Sequence, residues 1–239
     1  MKKFLCIYFI AFIALNTYSQ SASLKIDKNT VVKDSTGYIY PYAIWNVLLS
    51  KAEYTIKPIN AKDKNTEFLL IRLSPKQIEE RLERMPKPKE SKYFITGNNI
   101  KLFKTSDING KKINLKEKGR IIVFNFWFIN CPPCRMEIPD LNELVDAYKG
   151  NDSVVFVGVA LDKSSELEDF LKRMPFKYSI IDDGRYIAEG YGIKTYPTHV
   201  VIDKESKVIF HASGIAPNMV YWLKKMIDQL LHPLPEIKN

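Results

Sequence analysis

The run Ile121-Ile122-Val123-Phe124-Asn125-Phe126-Trp127, continued by Phe128-Ile129-Asn130-Cys131-Pro132-Pro133-Cys134-Arg135-Met136-Glu137, decides the fold. Its first seven residues are apolar or aromatic apart from Asn125, the pattern of a strand covered on both faces. From Pro133 the apolar positions Ile138, Leu141, Leu144, Val145 and Tyr148 recur mostly at spacings of three or four. That period predicts a helix, which Gly150 ends. A buried strand therefore leads straight into a helix, with two cysteines at the junction.

Two cysteines so placed can be a staple, a metal clip or a redox pair. As a staple they are poor, because closing so short a loop removes little entropy from the unfolded chain. A zinc site needs about four ligands, and beyond this pair the chain offers Cys6, near its start, with His199, His211 and His232. Haem attachment needs His after the second cysteine, and Arg135 stands there. The redox reading has a mechanism. A thiolate attacks disulfides, and the unpaired N–H groups and positive dipole end of a helix lower a cysteine's pKa. Cys131 occupies that end, and Cys134 follows about one turn later on the same face, within disulfide reach. Pro132 and Pro133 suit a first helical turn and stiffen the loop. This chemistry calls for no metal and no cofactor.

Outward from this stretch, residues 154–159 read as a second buried strand. Residues 165–171 read as a helix in which Ser165 and Glu168 fit a capping box. Residues 178–181 form a short edge element, and 198–202 and 207–211 a hairpin turning at Asp203-Lys204-Glu205-Ser206. A helix over 217–231 closes the pattern, which implies an α/β sheet with helices on both faces. Residues 22–95 say less. Two strands are expected at 52–59 and 67–73, and Ser74-Pro75-Lys76-Gln77 opens a helix with a capping Ser, a first-position Pro and a capping-box Gln. That helix fades by Met85, and Pro86-Lys87-Pro88-Lys89 reads as an extended linker.

The chain has 239 residues, 46% hydrophobic and 26% charged, with 10 Gly and 13 Pro, which excludes collagen-like architecture and disorder as the dominant state. The net charge of +9 is scattered among acids without a dense basic run, so it reads as a solubility feature rather than a nucleic-acid footprint. Lys2 and Lys3, the apolar run 4–15 and the small Ser19 before Gln20 have the form of a secretory signal peptide over residues 1–19. The run is short of the roughly 20 residues a spanning helix needs. Cleavage would remove Cys6 and place Cys131 and Cys134 in an oxidising compartment.

A Cys-Pro-Pro-Cys pair opening a helix after a buried strand resembles the thioredoxin fold, and the surroundings resemble the TlpA-like thiol-disulfide oxidoreductases of the bacterial envelope. The residues that carry the likeness are Asp107-Ile108-Asn109-Gly110-Lys111, Lys118-Gly119-Arg120, Asn125-Phe126-Trp127, the cysteine pair, Glu137, Pro139 and Tyr196-Pro197-Thr198, within residues 98–232. The resemblance implies a thioredoxin-like domain over 96–239, preceded by an N-terminal region of unassigned role over 20–95. It implies that Cys131 attacks and Cys134 resolves, that Glu137 handles protons for Cys134, and that Pro197 is a cis-proline offering the Tyr196 backbone to substrate. Asn130 departs from the Trp usual before the first cysteine, which bears on partner docking.

Glu137 also has a plain reading, as an acid complementing the dipole of a first helical turn. Pro139 is expected to kink the helix, Trp127 to be core, and His199 to be a strand residue near the site. The expected activity is reduction of disulfides in envelope clients such as apocytochrome c, with a membrane thiol-disulfide donor restoring the dithiol. No nucleic-acid partner is implied, and a monomer or weak dimer suffices. A disulfide oxidase or isomerase is the alternative within the same chemistry, and a binding module is the alternative outside it. Phe128, three residues before Cys131 where a peroxidase would carry Thr, disfavours peroxide chemistry.

Overall fold

The computed structural model describes residue 24, residues 26–63 and residues 65–233, so the signal peptide expected at 1–19 lies outside the described residues. By compactness the chain divides into two units, one comprising residues up to Val47 with Thr55–Ile71, the other Leu48–Tyr54 with Arg72 onward. Among the described residues no helix is long and apolar enough to cross a membrane.

The first unit holds β1 (Val32–Lys33), β2 (Ile39–Tyr40), most of α1 (Tyr42–Ser50), and β3 (Tyr54–Pro58) and β4 (Phe68–Arg72) but for Tyr54 and Arg72, in the sheet order β2-β1-β4-β3. Both strands expected from sequence form, each trimmed at its ends. The core is thin: Val32, Trp45 and Phe68 are buried while Tyr38, Ile39, Ile44 and Ile59 stay exposed.

In the second unit, α2 (Pro75–Arg84) starts as its sequence predicts. The Ser74 N–H donates to Gln77 Oε1 at 2.9 Å and the Gln77 N–H donates back to Ser74 Oγ at 3.4 Å, so two orphan groups of the first turn are satisfied. The linker expected next is extended but docked. Pro88 and Ser91 are buried. The Ser213 N–H donates to Lys89 O, the Ser91 N–H to His211 Nδ1, and the Gly97 N–H to Val208 O. Lys87 Nζ lies 4.8 Å from the Trp222 ring centre. The physical reason is an edge strand whose free backbone groups need partners.

That edge belongs to a five-stranded sheet. After the hairpin β5 (Lys104–Ser106) and β6 (Lys112–Asn114) come β7 (Ile121–Trp127), α3 (Pro132–Ala147), β8 (Val154–Ala160), α4 (Ser164–Arg173), β9 (Ser179–Ile181), α5 (Arg185–Gly190), β10 (Thr198–Ile202), β11 (Val208–Ser213) and α6 (Met219–Leu231). The order is β11-β10-β7-β8-β9, with β7, β8 and β9 parallel and β10 antiparallel to both neighbours. All seven residues of β7 are buried, as its composition demands. Alternation sends Ile121, Val123 and Trp127 towards the layer of α3, α4 and α6, and Ile122, Phe124 and Phe126 towards α5, Leu102, Ile113 and Leu115. The expected thioredoxin-like α/β fold is present. One local expectation fails: α4 begins one residue before Ser165, and its reciprocal contact is Glu166 Oε2 accepting the Lys163 N–H, not a Ser165–Glu168 box.

Candidate active site

Cys131 is the N-cap of α3 and is disulfide-bonded to Cys134, with the two Cα atoms 5.3 Å apart. Pro132 and Pro133 occupy the first helical positions, where no backbone donor is lost to the helix. The Cys134 N–H donates to Cys131 Sγ at 3.3 Å and the Arg135 N–H to Cys131 O at 3.1 Å. Charge arriving on Cys131 sulfur would thus meet the positive end of the helix. A nucleophile at a helix end is expected to be open, and the cysteine one turn behind it covered. Both are buried, at 3% and 2% exposure. The cause is packing: Phe128, Ile129, Tyr196 and Ala216 sit against the core that holds the pair.

Asn125 is the one polar residue of β7, and the alternation of the strand turns it towards α3. Its antiparallel partner on β10 is His199, so the two share that face. One helical turn beyond Cys134, Glu137 closes the cluster: its Oε1 accepts from Asn125 Nδ2 at 3.0 Å and lies 2.9 Å from His199 Nε2. All three side chains are buried. The Tyr178 hydroxyl is buried nearby without a hydrogen-bond partner among the described residues. Burial, and secondarily the charge of Glu137, hold its pKa well above the ordinary phenol value.

On the other flank the Tyr196-Pro197 bond is cis and Pro197 is buried. The Gly214 N–H donates to Pro197 O at 2.8 Å, tying this turn to the end of β11. The Tyr196 ring packs edge-on against Phe128 at 5.5 Å, which sets the turn beside the loop that carries Cys131. Tyr93 Oη and Thr195 Oγ1 are 2.8 Å apart, so the segment before the domain also reaches this loop.

The structure therefore brings Cys131, Cys134 and Glu137 together on one helix end, with Tyr196 and Pro197 at its rim. Sequence reasoning missed one contact and one participant. His199 is the strand residue near the site that the sequence suggests, but its contact with Glu137 is not legible there, because its pairing opposite Asn125 is a matter of register. Asp162 accepts the Ile129 N–H at 2.7 Å, and burial pushes its carboxyl above the usual carboxylate range against the pull of that N–H. The available signal was an acid just past a buried strand, where parallel sheets gather functional groups.

A cysteine pair at the helix end, directly after the central strand of such a sheet, defines the class of thioredoxin-like thiol-disulfide oxidoreductases. The family model described as the AhpC/TSA family matches residues 96–211. Thiol-disulfide oxidoreductase ResA of Bacillus thuringiensis subsp. konkukian is 37% identical over 128 residues, which are 53% of this chain and 73% of the relative. The sporulation thiol-disulfide oxidoreductase A of Bacillus subtilis is 29% identical over 133 residues, 54% of this chain and 79% of the relative. Among solved structures, a chain described as the thiol:disulfide interchange protein DsbE of Chlorobium tepidum superposes with a TM-score of 0.52 at 27% identity, covering 58% of this chain and 99% of its own. The chain belongs to the TlpA-like thiol-disulfide oxidoreductases, and it is an enzyme of that kind.

Proposed function

We propose that this protein reduces disulfides in client proteins of the cell envelope, apocytochrome c among them, after export by the segment 1–19. The observation that carries the reading is the buried carboxylate of Glu137 one turn beyond Cys134, behind a cysteine pair at a helix N-terminus. In the reduced enzyme, the Cys131 thiolate attacks a client sulfur, the client S–S bond breaks, and one client thiolate leaves. Glu137 then takes the Cys134 proton, the Cys134 sulfur attacks Cys131 Sγ, and the second client sulfur departs as the enzyme disulfide closes. A membrane dithiol donor would restore the pair, its own thiols becoming a disulfide. Substrate would dock in extended form against the Tyr196 backbone next to Pro197.

The catalytic domain in this reading is 96–239, with 20–95 an accessory region. The discriminating measurement is the reduction potential of the Cys131–Cys134 couple by equilibration with a thiol buffer. The reductase reading expects a value nearer the roughly −270 mV of thioredoxin, together with turnover of an oxidised Cys-x-x-Cys-His peptide. A value near −120 mV, the range of a strong oxidant, would reverse the direction of the reaction.

A further inference from the structure

His199 has no task in the reaction as written, yet it is wholly buried and its Nε2 lies 2.9 Å from the oxygen of Glu137 that also takes the Asn125 amide. A carboxylate out of water is costly to keep charged unless donors converge on it. An amide can only donate to it. An imidazole can donate and can also take up a proton near neutral pH. We propose that His199 is the positioning residue and proton partner of Glu137, so that an imidazole–carboxylate pair, rather than a lone acid, receives the proton of Cys134 during resolution. The inference rests on the reading of Glu137 as the base.

The step balances. The Cys134 S–H bond breaks and its proton passes to Glu137, which hands it to His199 Nε2 of the imidazole tautomer protonated at Nδ1, so that the imidazolium carries it and Glu137 returns to an anionic acceptor. The Cys134 sulfur forms a bond to Cys131 Sγ and the bond from Cys131 to the client sulfur breaks. The client thiolate leaves and recovers the proton from the pair. Among the described residues the titratable groups facing the pair are few. On α3 they are Cys131 and Cys134, with Asp140 a turn further, its pKa raised chiefly by burial, against the pull of Lys51, and raised further by Glu53 and then Glu137. From the lead into β9 there is Tyr178, whose raised pKa keeps it a neutral hydroxyl. The neighbouring strands contribute Asn125 and Ala212, and α6 lays Met219, Leu223 and Ile227 over this face, none of them ionisable.

The test compares wild type, His199→Gln, Glu137→Gln and the double variant, measuring the rate at which a mixed disulfide on Cys131 is resolved between about pH 5 and 9. Gln at 199 keeps a donor for Glu137 but cannot hold the proton. The expected result is that His199→Gln slows resolution about 10-fold at neutral pH, moves the acid limb of the profile down by about one pH unit, and adds nothing in the Glu137→Gln background. A wild-type profile in His199→Gln would overturn the proposal, as would full additivity of the two changes. If Glu137→Gln alone leaves the rate unchanged, the reading of Glu137 as base fails and takes the proposal with it. If Glu137→Gln is slow while His199→Gln is not, only the role of His199 falls. Should His199→Gln not fold, ring-nitrogen NMR of His199 decides: the resonance of Nε2, the nitrogen facing Glu137, should change in Glu137→Gln, and an unchanged resonance would overturn the pairing.

Discussion

The two faces of the central sheet start from the same strands and end in different chemistry. On one face Ile122, Phe124, Phe126, Val200 and Ile202 are buried in an apolar cluster, with the polar Thr198 and His211 only at its β10–β11 margin. On the other, Asn125 and His199 interrupt Ile121, Val123, Trp127 and Val201, and Glu137 from α3 meets them. A strand alternates its side chains with a period of two, so one polar substitution marks one face and leaves the other intact. Stability and reactivity can thus be held by interleaved residues of the same strand.

The sharpest way to break that division is at the cysteine pair on the polar face. Cys131→Ala should reduce turnover of a small disulfide to background while leaving the cooperative unfolding transition in place. Cys134→Ala should instead accumulate covalent, reductant-sensitive complexes with clients in cells. More trapping by Cys131→Ala than by Cys134→Ala would exchange the roles assigned to the two sulfurs. On the apolar face the expected pattern is opposite. Phe124→Ala should cost about 3–5 kcal/mol in denaturant unfolding, with the activity per folded molecule retained. Lost activity in protein shown to be folded would mean that the faces are not separable.

The smallest effect concerns Asp162 at the rim of the site. Burial raises its pKa, so the folded state holds its proton more tightly than the unfolded state does. The stability this contributes is present below the ordinary carboxylate pKa and fades as pH rises through the raised value. Asp162→Asn should remove that segment from a plot of unfolding free energy against pH, leaving the remainder parallel to wild type. An unchanged difference across the acid range would show that Asp162 is as well solvated folded as unfolded.

What the sequence revealed was whatever is local. The period of β7, the prolines opening α3 and the Ser74–Gln77 box each depend on residues within a few positions of one another, and each appears as read. The Glu137–His199 contact joins positions far apart in the chain and exists only because β10 pairs with β7 in the register that sets His199 opposite Asn125. No local pattern carries a register. The contact of Phe128 with Tyr196 likewise joins positions far apart in the chain. The misplaced cap of α4 has a simpler origin. Lys163–Glu166 and Ser165–Glu168 share the same spacing, and residue preference alone favoured the wrong one.

The docked segment around Lys89–Ser91 bears on how much chain the catalytic domain needs. The family match begins at residue 96, but the partners of the Ser213 N–H and of His211 Nδ1 lie at Lys89 and Ser91, ahead of that point. A chain trimmed to begin at 96 would keep both cysteines and the whole of the Glu137 cluster. It would also present β11 to solvent with open backbone groups at Ser213, a template on which another copy could add its own strand. Solubility of the shortened enzyme would then depend on the short stretch around Lys89–Ser91, which belongs to no strand or helix and holds none of the reacting atoms.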